Sequence, residues 1–504
     1  MTLKELLAEQ AGRLRDKTYL YWEDKEISYA RMDEMARTIA HHLICRGVEK
    51  DDKICILMPN RPEFVYCFYG LAYAGAVFVP INIQLKADEV NYLVNDSDAK
   101  MLITTPEFKE IAFAVRPRCP LLKEIVMLDE APEGTLPFSE FMKDAEVLED
   151  REVSEDDVAG IIYTSGTTGY PKGVLLTHKN YVANADQVTA ACQMTEDDRF
   201  LCILPLFHVN GQVVTTVSPL FAGGSMVLLR GFSPKEFLPK LSHYRATAFS
   251  GVPTVYAILN NLPDAEEYDL SALRFCICGA APMPVEVFET FERKYKAFIL
   301  EGYGLSEGTC ASSINPLDGT RKIGSIGIPF KDQEMKIFDD NERELAPEEV
   351  GEIVLRGPNV MKGYYKNEEA TRETLRNDWL HTGDLGYIDE DGYFFIKGRK
   401  KEMVIRGGEN IYPKEIEEVL YKHPAIAEAA VVGVPDKIWG EEVAAFVVLK
   451  QGAGLKPQEV IGYCKEHLAN YKCPRIVEFA DSLPKTATGR IQKNKIIEEY
   501  ARQG

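Results

Sequence analysis

Residues 161–173 read "IIYTSGTTGYPKG": an apolar run followed, within eleven residues, by four small hydroxyl side chains, three glycines, a proline and a lysine. Glycines let backbone N–H groups approach a ligand closely, hydroxyls donate further hydrogen bonds, and Lys172 brings a movable positive charge. Together these suit a polyphosphate. The spacing of Gly166, Gly169 and Lys172 does not fit G-x-x-x-x-G-K-[ST], so this is not a Walker loop. Taken alone, such a stretch is most simply a flexible surface loop. Two other apolar runs end in the same small residues, however: "LRFCICGAAPMP" (273–284) and "FILEGYGLSEGT" (298–309). The carboxyl ends of parallel strands are where open α/β sheets take their ligands.

The elements that must position these loops are legible in outline. "DDKICILMPN" (51–60), an apolar stretch and "YAGAVFVP" (73–80) are echoed by "DDRFLCILPL" (197–206), another apolar stretch and "FAGGSMVLL" (221–229). Each copy reads strand, helix, Ala-Gly turn, strand, a βαβ unit. Right-handed crossovers then predict two similar, mostly parallel sheets with helices packed outside them. The uncharged run Phe64 to Leu85 is long enough to span a bilayer. Gly75 and Pro80 interrupt it, so a buried helix–turn–strand is expected instead. Beyond about residue 397 the texture changes to a hairpin turn at Asp391-Gly392, a helix from Pro413, strands in "AIAEAAVVGVP" and "EEVAAFVVLK", and a helix over Glu459 to Leu468. The expected fold class is α/β: a large N-terminal domain of two doubly wound, mostly parallel sheets with a small β region, then a small α+β domain. The expected junction at Arg399 to Lys401 gives domains of residues 1–398 and 399–504.

Composition sets limits. The 504 residues are too many for one ordinary core. With 45% apolar and 27% charged residues the chain can fold in water, and a net charge of −20 makes nucleic acid and anionic membranes poor general partners. Eleven cysteines without a C-x-x-C pair or clustered histidines read as reduced thiols of a cytoplasmic protein. The amphipathic, charged start "MTLKELLAEQAGRLRDK" lacks the apolar stretch of a signal peptide.

"YTSGTTGYPKG", "EGYGLSEGT", "HTGDLGYIDEDGYFFIKGRKKE" and "RGGENIYPKEIE" resemble, in order and spacing, the signature motifs of the adenylate-forming superfamily, most closely its acyl-CoA synthetases. The resemblance runs from "YARMDEMARTIAHHL" to "LPKTATGRIQK", nearly the whole chain. It implies that Thr164, Ser165, Gly166, Thr167, Thr168, Gly169 and Lys172 wrap the β- and γ-phosphates of ATP. Glu307, with Thr164 nearby, would hold Mg²⁺. Tyr303 and the backbone of Gly279, Ala280, Ala281 and Pro282 would sandwich adenine, with Glu301, Gly302, Gly304, Ser306 and Ile396 along the nucleotide. Asp384 would accept the ribose hydroxyls and Arg399 would assist. Lys401 would be the hinge of a mobile C-terminal lid, and Gly407 and Gly408 would border the pantetheine arm of CoA. Singly, each of these residues could be a turn former, a cap or a solvated charge.

The family's C-terminal motif ends in a lysine that bridges substrate carboxylate and α-phosphate; "PKTATGRIQK" places Arg490 there. Arginine keeps the charge but not the shape. Arg490 is expected to fill the role, with Lys485 and Lys493 as substitutes less well placed in the motif. His208, in "LPLFHVNGQ" (204–212), is the expected gate of the acyl pocket, with a satisfied core histidine as the plainer explanation. Val252, Pro253, Thr254 and Tyr256 are expected to form another wall. An aspartate that would pair with a substrate amine is missing after Phe207, which disfavours amino acids. Asn210 and Gln212 leave medium-chain, aromatic or polar-tailed acids as open as long aliphatic ones. The implied activity is ATP-dependent ligation of a carboxylic acid to CoA through an acyl-adenylate. Delivery to a carrier protein, or a degenerate nucleotide-binding homologue because of Arg490, are the alternatives. A homodimer is compatible with the family.

Overall fold

The computed structural model describes residues 1–143, 151–164, 170–263, 265–281, 283–485 and 491–503. Two mixed, mainly parallel sheets make up the larger part. In the first, the described strands run in the order Ile328–Pro329, Ser313–Ile314, Phe298–Tyr303, Phe275–Cys278, Ala248–Gly251, Arg199–Cys202, Ser225–Leu228, Thr18–Trp22 and Lys25–Ser28. In the second the order is Gly363–Tyr364, Lys172–Thr177, Val158–Thr164, Val77–Pro80, Lys53–Leu57, Met101–Thr104, Glu124–Met127 and Leu136–Pro137.

Both βαβ units are present, one in each sheet: Lys53 lies parallel and opposite Val77, and Arg199 opposite Ser225. Each helix stops because a glycine takes up the left-handed conformation that other residues resist: Gly75 at φ +67° and Gly223 at φ +79°. The uncharged run begins inside the helix Pro62–Ala74, buried along nearly its whole length, and continues through the strand Val77–Pro80. No helix among the described residues is long and apolar enough to cross a membrane. The second crossover departs from a plain helix. It runs as helix Val209–Gln212, a π-helical turn Val213–Val217 and helix Ser218–Ala222. Thr215 and Thr216 both donate their hydroxyls to the Gly211 carbonyl, at 2.8 and 2.7 Å, and Pro219 has no N–H to give. These features loosen the regular ladder and admit the wider turn.

A third sheet, Glu334–Phe338, Gly351–Arg356, Trp379–Ile388 and Leu375–Arg376, also takes the strand Phe394–Arg399 against Trp379–Ile388. Arg399 is thus still paired in this sheet, opposite Asp384. From Val404 the chain forms a separate sheet of Glu409–Ile411, Val404–Arg406, Gly440–Leu449 and Ile426–Asp436, joined in parallel by Ile476–Phe479 and covered by helices Pro413–Tyr421 and Pro457–His467. None of the eleven cysteines is in a disulfide; Cys45 is exposed, Cys310 partly exposed and the rest buried.

The N-terminal helix Leu3–Leu14 turns Leu3, Leu6, Leu7 and Ala11 inward, the spacing of one helical face. Its start is held by His178, whose Nδ1 accepts the Leu3 N–H at 3.3 Å. Burial pushes the His178 imidazole down to about 4, so it is neutral near pH 7, with Nδ1 free to accept. The unfolded chain binds the proton at about 6.5. The stability this residue contributes is therefore complete above pH 6.5 and is lost as pH falls towards 4. Urea unfolding should lose about 1–3 kcal/mol over that window on account of His178, and His178→Gln should flatten the curve there.

Candidate active site

The strand Val158–Thr164 and the strand Lys172–Thr177 form an antiparallel hairpin in which Thr164 lies opposite Lys172. Ser165, Gly166, Thr167, Thr168 and Gly169, expected to grip phosphates, lie outside the described residues, as do Pro282 and Arg490. The hairpin's return limb is anchored. Tyr170 stacks on Tyr92 with ring centres 5.1 Å apart, and the Tyr92 hydroxyl donates to the Pro171 carbonyl at 3.1 Å. Lys172 Nζ stands 5.1 Å over the Tyr364 ring, and the Tyr364 hydroxyl donates to Glu307 Oε1 at 2.8 Å. Tyr364 reaches this place because Gly363–Tyr364 pairs with Val174 and Leu175 at the sheet edge. Lys172 and the expected metal carboxylate are thus brought together through a tyrosine that the sequence reading did not single out. Its only signal was an aromatic "GYY" after "NVMK".

The carboxyl ends of Phe275–Cys278 and Phe298–Tyr303 lie side by side, Cys278 opposite Glu301. Gly279 follows, so close to Gly302 that a Cβ on it would lie 3.3 Å from the Gly302 carbonyl oxygen. Ala280 is left-handed at φ +68°, with Ala281 after it. Gly304 is forced: a Cβ there would fall 1.7 Å from the Cys310 carbonyl oxygen. Ser306 opens the short 3-10 turn Ser306–Gly308 that carries Glu307.

At the end of its strand, Tyr303 donates its hydroxyl to Asp384 Oδ2 at 2.6 Å, while Arg399 Nε lies 2.9 Å from Asp384 Oδ1. Burial, and next the Asp384 charge, hold the Tyr303 hydroxyl well above its ordinary pKa, so it stays a donor. Asp384 is 5% exposed, so its charge is held by these two partners. Glu301 is as buried, and one of its oxygens has no partner. Burial pushes its carboxyl up to about 7, against the Lys414 ammonium and the N–H groups of Met283 and Gly324. Lys414 comes from the C-terminal helix Pro413–Tyr421 and donates to the Ile396 carbonyl at 2.8 Å. Ile396 therefore serves as a landing point for that part of the chain.

Other expected residues sit further out. Lys401 is exposed in the turn Lys400–Glu402. Gly407 and Gly408, at φ +60° and +91°, form an exposed hairpin tip whose Gly407 N–H donates to the Trp439 carbonyl at 2.8 Å. Among the described residues no hydrogen bond or ion pair ties that tip to Tyr303, Glu307 or Asp384. Lys485 pairs with Glu428, and Lys493 lies 2.8 Å from Glu417. Both expected substitutes for Arg490 are thus already engaged within the C-terminal part.

His208 precedes the helix Val209–Gln212 without a side-chain capping bond and packs on Phe207, ring centres 4.5 Å apart. Its Nε2 is buried without a partner, as is Asn210 Oδ1, and burial pushes the imidazole down to about 4. Neither atom is a satisfied core group. Gln212 differs, because it accepts from the Tyr181 hydroxyl at 2.7 Å and donates to the Leu206 carbonyl at 3.0 Å. Val252 and Tyr256 are buried, Pro253 is partly exposed and Thr254 is exposed. Tyr256 is no pocket wall: it is fully buried against Phe249 and Phe291, with its hydroxyl given to the Ile277 carbonyl at 2.7 Å.

The forced position at Gly304 is testable without any ligand. Gly304→Ala should cost about 2 kcal/mol or more in urea unfolding, through the backbone shift it requires. Gly454→Ala, where the Cβ meets nothing within 4 Å, should stay within about 0.5 kcal/mol. Equal effects would show that the 304–310 contact is not tight.

Comparison with known proteins gives the family. Residues 7–365 match the family described as AMP-binding enzyme, and residues 415–490 the AMP-binding enzyme C-terminal domain. A long-chain-fatty-acid–CoA ligase of Bacillus subtilis is 38% identical over 99% of this chain and 94% of its own length. A feruloyl-CoA synthase of an Amycolatopsis species is 37% identical over 94% of each chain. Among solved structures, an anthranilate CoA ligase in complex with anthranoyl-AMP superposes with a TM-score of 0.93 at 31% identity, covering 100% of this chain and 98% of that one. With two family matches that span most of its length, and with relatives aligned from end to end, the chain belongs to the AMP-binding enzymes of the adenylate-forming superfamily.

Proposed function

We propose that this protein is an AMP-forming acid–CoA ligase that takes ATP, a carboxylic acid and CoA. The observation that carries the reading is the joining of two clusters at the strand ends: Tyr303, Asp384 and Arg399 on one side, Lys172, Tyr364 and Glu307 on the other. The first suits a nucleoside, the second a magnesium-bound polyphosphate.

A carboxylate acylates poorly because oxide would have to leave. In the first step a carboxylate oxygen attacks the α-phosphorus of ATP, and the bond to the β-phosphate oxygen breaks to release pyrophosphate. In the second, the CoA thiolate attacks the acyl carbon and AMP leaves with the electron pair. Positioning and charge neutralisation do most of the work in such a transfer. Lys172 and the loop from Thr164 to Gly169 hold the phosphate tail. Tyr303 and the segment Gly279 to Pro282 face adenine, and Asp384 takes the ribose hydroxyls with Arg399 beside it. Arg490 bridges the acid and the α-phosphate. The residues after Lys401 turn about it between the steps, exchanging Arg490 for the Gly407–Gly408 tip beside the pantetheine arm.

Glu307 and Thr164 fit Mg²⁺, since both offer hard oxygens and Tyr364 occupies only one Glu307 oxygen. No group of three His, Cys, Asp or Glu side chains among the described residues could hold a metal alone, so phosphate and water oxygens would complete the shell. Bound there, Mg²⁺ would neutralise phosphate charge. The acid is placed beside His208. The unpartnered Asn210 Oδ1 favours a tail that can donate a hydrogen bond over a purely aliphatic one, and an acyl-CoA synthetase of medium-chain or ring-bearing acids fits better than a long-chain enzyme. Free cysteines support a cytoplasmic setting, and a homodimer accords with the family.

The test is acid-dependent exchange of labelled pyrophosphate into ATP, run over straight-chain, hydroxylated, aromatic and dicarboxylic acids and repeated with CoA. Exchange should appear with one class and AMP release should then require CoA. Arg490→Ala should lower exchange about 100-fold or more, while Lys485→Ala and Lys493→Ala should stay within about threefold, their charges being spent elsewhere. ATP binding without exchange for any acid would overturn the ligase reading.

A further inference from the structure

Asp384 does not lie in a regular strand. Where Gly351–Arg356 meets Trp379–Ile388, Glu352 lies opposite Leu385, but Val354, two residues on, lies opposite His381. Thr382, Gly383 and Asp384 are therefore gathered into a bulge, with Gly383 at φ +72°. Bulges of this kind redirect a side chain at the cost of a ladder hydrogen bond. The bulge sets backbone N–H groups free in a buried place, and each is answered by a side chain. The Asp384 N–H goes to Thr382 Oγ1 at 3.0 Å, and Thr382 in turn donates to the Ile353 carbonyl at 2.7 Å. The Gly383 N–H goes to Glu352 Oε1 at 3.0 Å.

Glu352 is 8% exposed, an unusual place for a carboxylate that served the sheet alone. Its second oxygen lies 3.2 Å from His381 Nδ1, 3.7 Å from Lys400 Nζ and 3.9 Å from Arg376. Lys400 follows directly on Arg399 and also reaches Asp340 at 2.7 Å. Burial alone would raise the Glu352 carboxyl; hydrogen bonds from His381 and Gly383, with Lys400, outweigh it and keep the group ionised. One oxygen thus caps the bulge at Gly383, and the other lies near His381, Lys400 and Arg376, of which Lys400 adjoins Arg399.

We propose that Glu352 is a positioning residue for nucleotide binding: by capping the N–H that the bulge exposes at Gly383, it fixes the direction in which Asp384 presents its carboxylate to the ribose. The inference rests on the ribose reading of Asp384 given above. Glu352 itself touches no substrate; it acts through Gly383.

The experiment compares the affinity of the full chain for ATP and for 2′,3′-dideoxy-ATP by calorimetry, which needs no knowledge of the acid. The wild type should bind the dideoxy nucleotide roughly tenfold or more weakly, since Asp384 loses both of its charge-assisted partners. Asp384→Ala sets the ratio that remains without the carboxylate. Glu352→Met, similar in length but unable to accept, should bring the ratio down to near that of Asp384→Ala. Glu352→Gln, which can still accept from Gly383, should keep the ratio within about twofold of wild type. Should Glu352→Met fail to fold, Glu352→Asp, too short to reach the Gly383 N–H, takes its place with the same expectation. A merely structural role would weaken both nucleotides together and leave the ratio intact, and that result in Glu352→Met or Glu352→Asp overturns the proposal. Loss of the ratio in Glu352→Gln overturns it as well, because charge and not acceptance would then be acting. A wild type indifferent to the hydroxyls removes the ribose reading itself, and the role of Glu352 with it.

Discussion

The site depends on one buried carboxylate shared between two sheets. Asp384 belongs to the third sheet, Tyr303 to the first, and their 2.6 Å hydrogen bond is where the two meet. Arg399, the last residue of the strand opposite, supplies the compensating charge. A buried charge without such partners would neutralise itself or force the sheets apart. With them it becomes a fixed acceptor held between one hairpin and a strand some eighty residues before it in the chain. The C-terminal part begins a few residues after Arg399, so whatever it does, it does from the edge of this pair.

Around that pair the backbone is packed more closely than side chains would allow. Gly304 lies against the Cys310 carbonyl and Gly279 against that of Gly302. These contacts accompany two strand ends that lie next to each other, Cys278 opposite Glu301. The second cluster reaches the same region by another route, the edge strand that brings Tyr364 over Lys172 and against Glu307. An aromatic ring beneath an ammonium and a phenol on a carboxylate hold both charges in place. The result is two polar clusters, Tyr303 with Asp384 and Arg399, and Lys172 with Tyr364 and Glu307, linked through the segment from Tyr303 to Glu307.

Much of this was open to reading along the chain. The two βαβ units, the Ala-Gly turns, the helix–turn–strand in the uncharged run and the C-terminal strands and helices all follow from local rules: apolar periodicity, left-handed glycine and the stiffness of proline. The residues of the phosphate loop, the Tyr303 and Glu307 loop and Asp384 stood out because their motifs are long and ordered. Tyr364 and Glu352 did not. Each acts through a partner distant in sequence, Glu307 and Gly383 respectively, and nothing in "GYY" or "GEIVL" by itself tells of a carboxylate or a freed N–H on the other side of a fold. Tyr256 was expected at a pocket and is in the core, because a strand end and a helix start look alike in sequence whichever way the ring turns. The π-helical turn was missed because it arises from two threonine hydroxyls converging on one carbonyl.

The sequence by itself determined which segments would be strands and helices, that they would build parallel sheets, and which residue types carried the chemistry, since those depend on neighbours a few positions away. Only the tertiary structure decided which of those residues meet. Whether Gln212 is free or spent, whether Lys485 and Lys493 are available, and how Asp384 is aimed are set by contacts across tens to hundreds of residues. Such contacts are made by register, burial and a single bulge, and local propensity does not encode them.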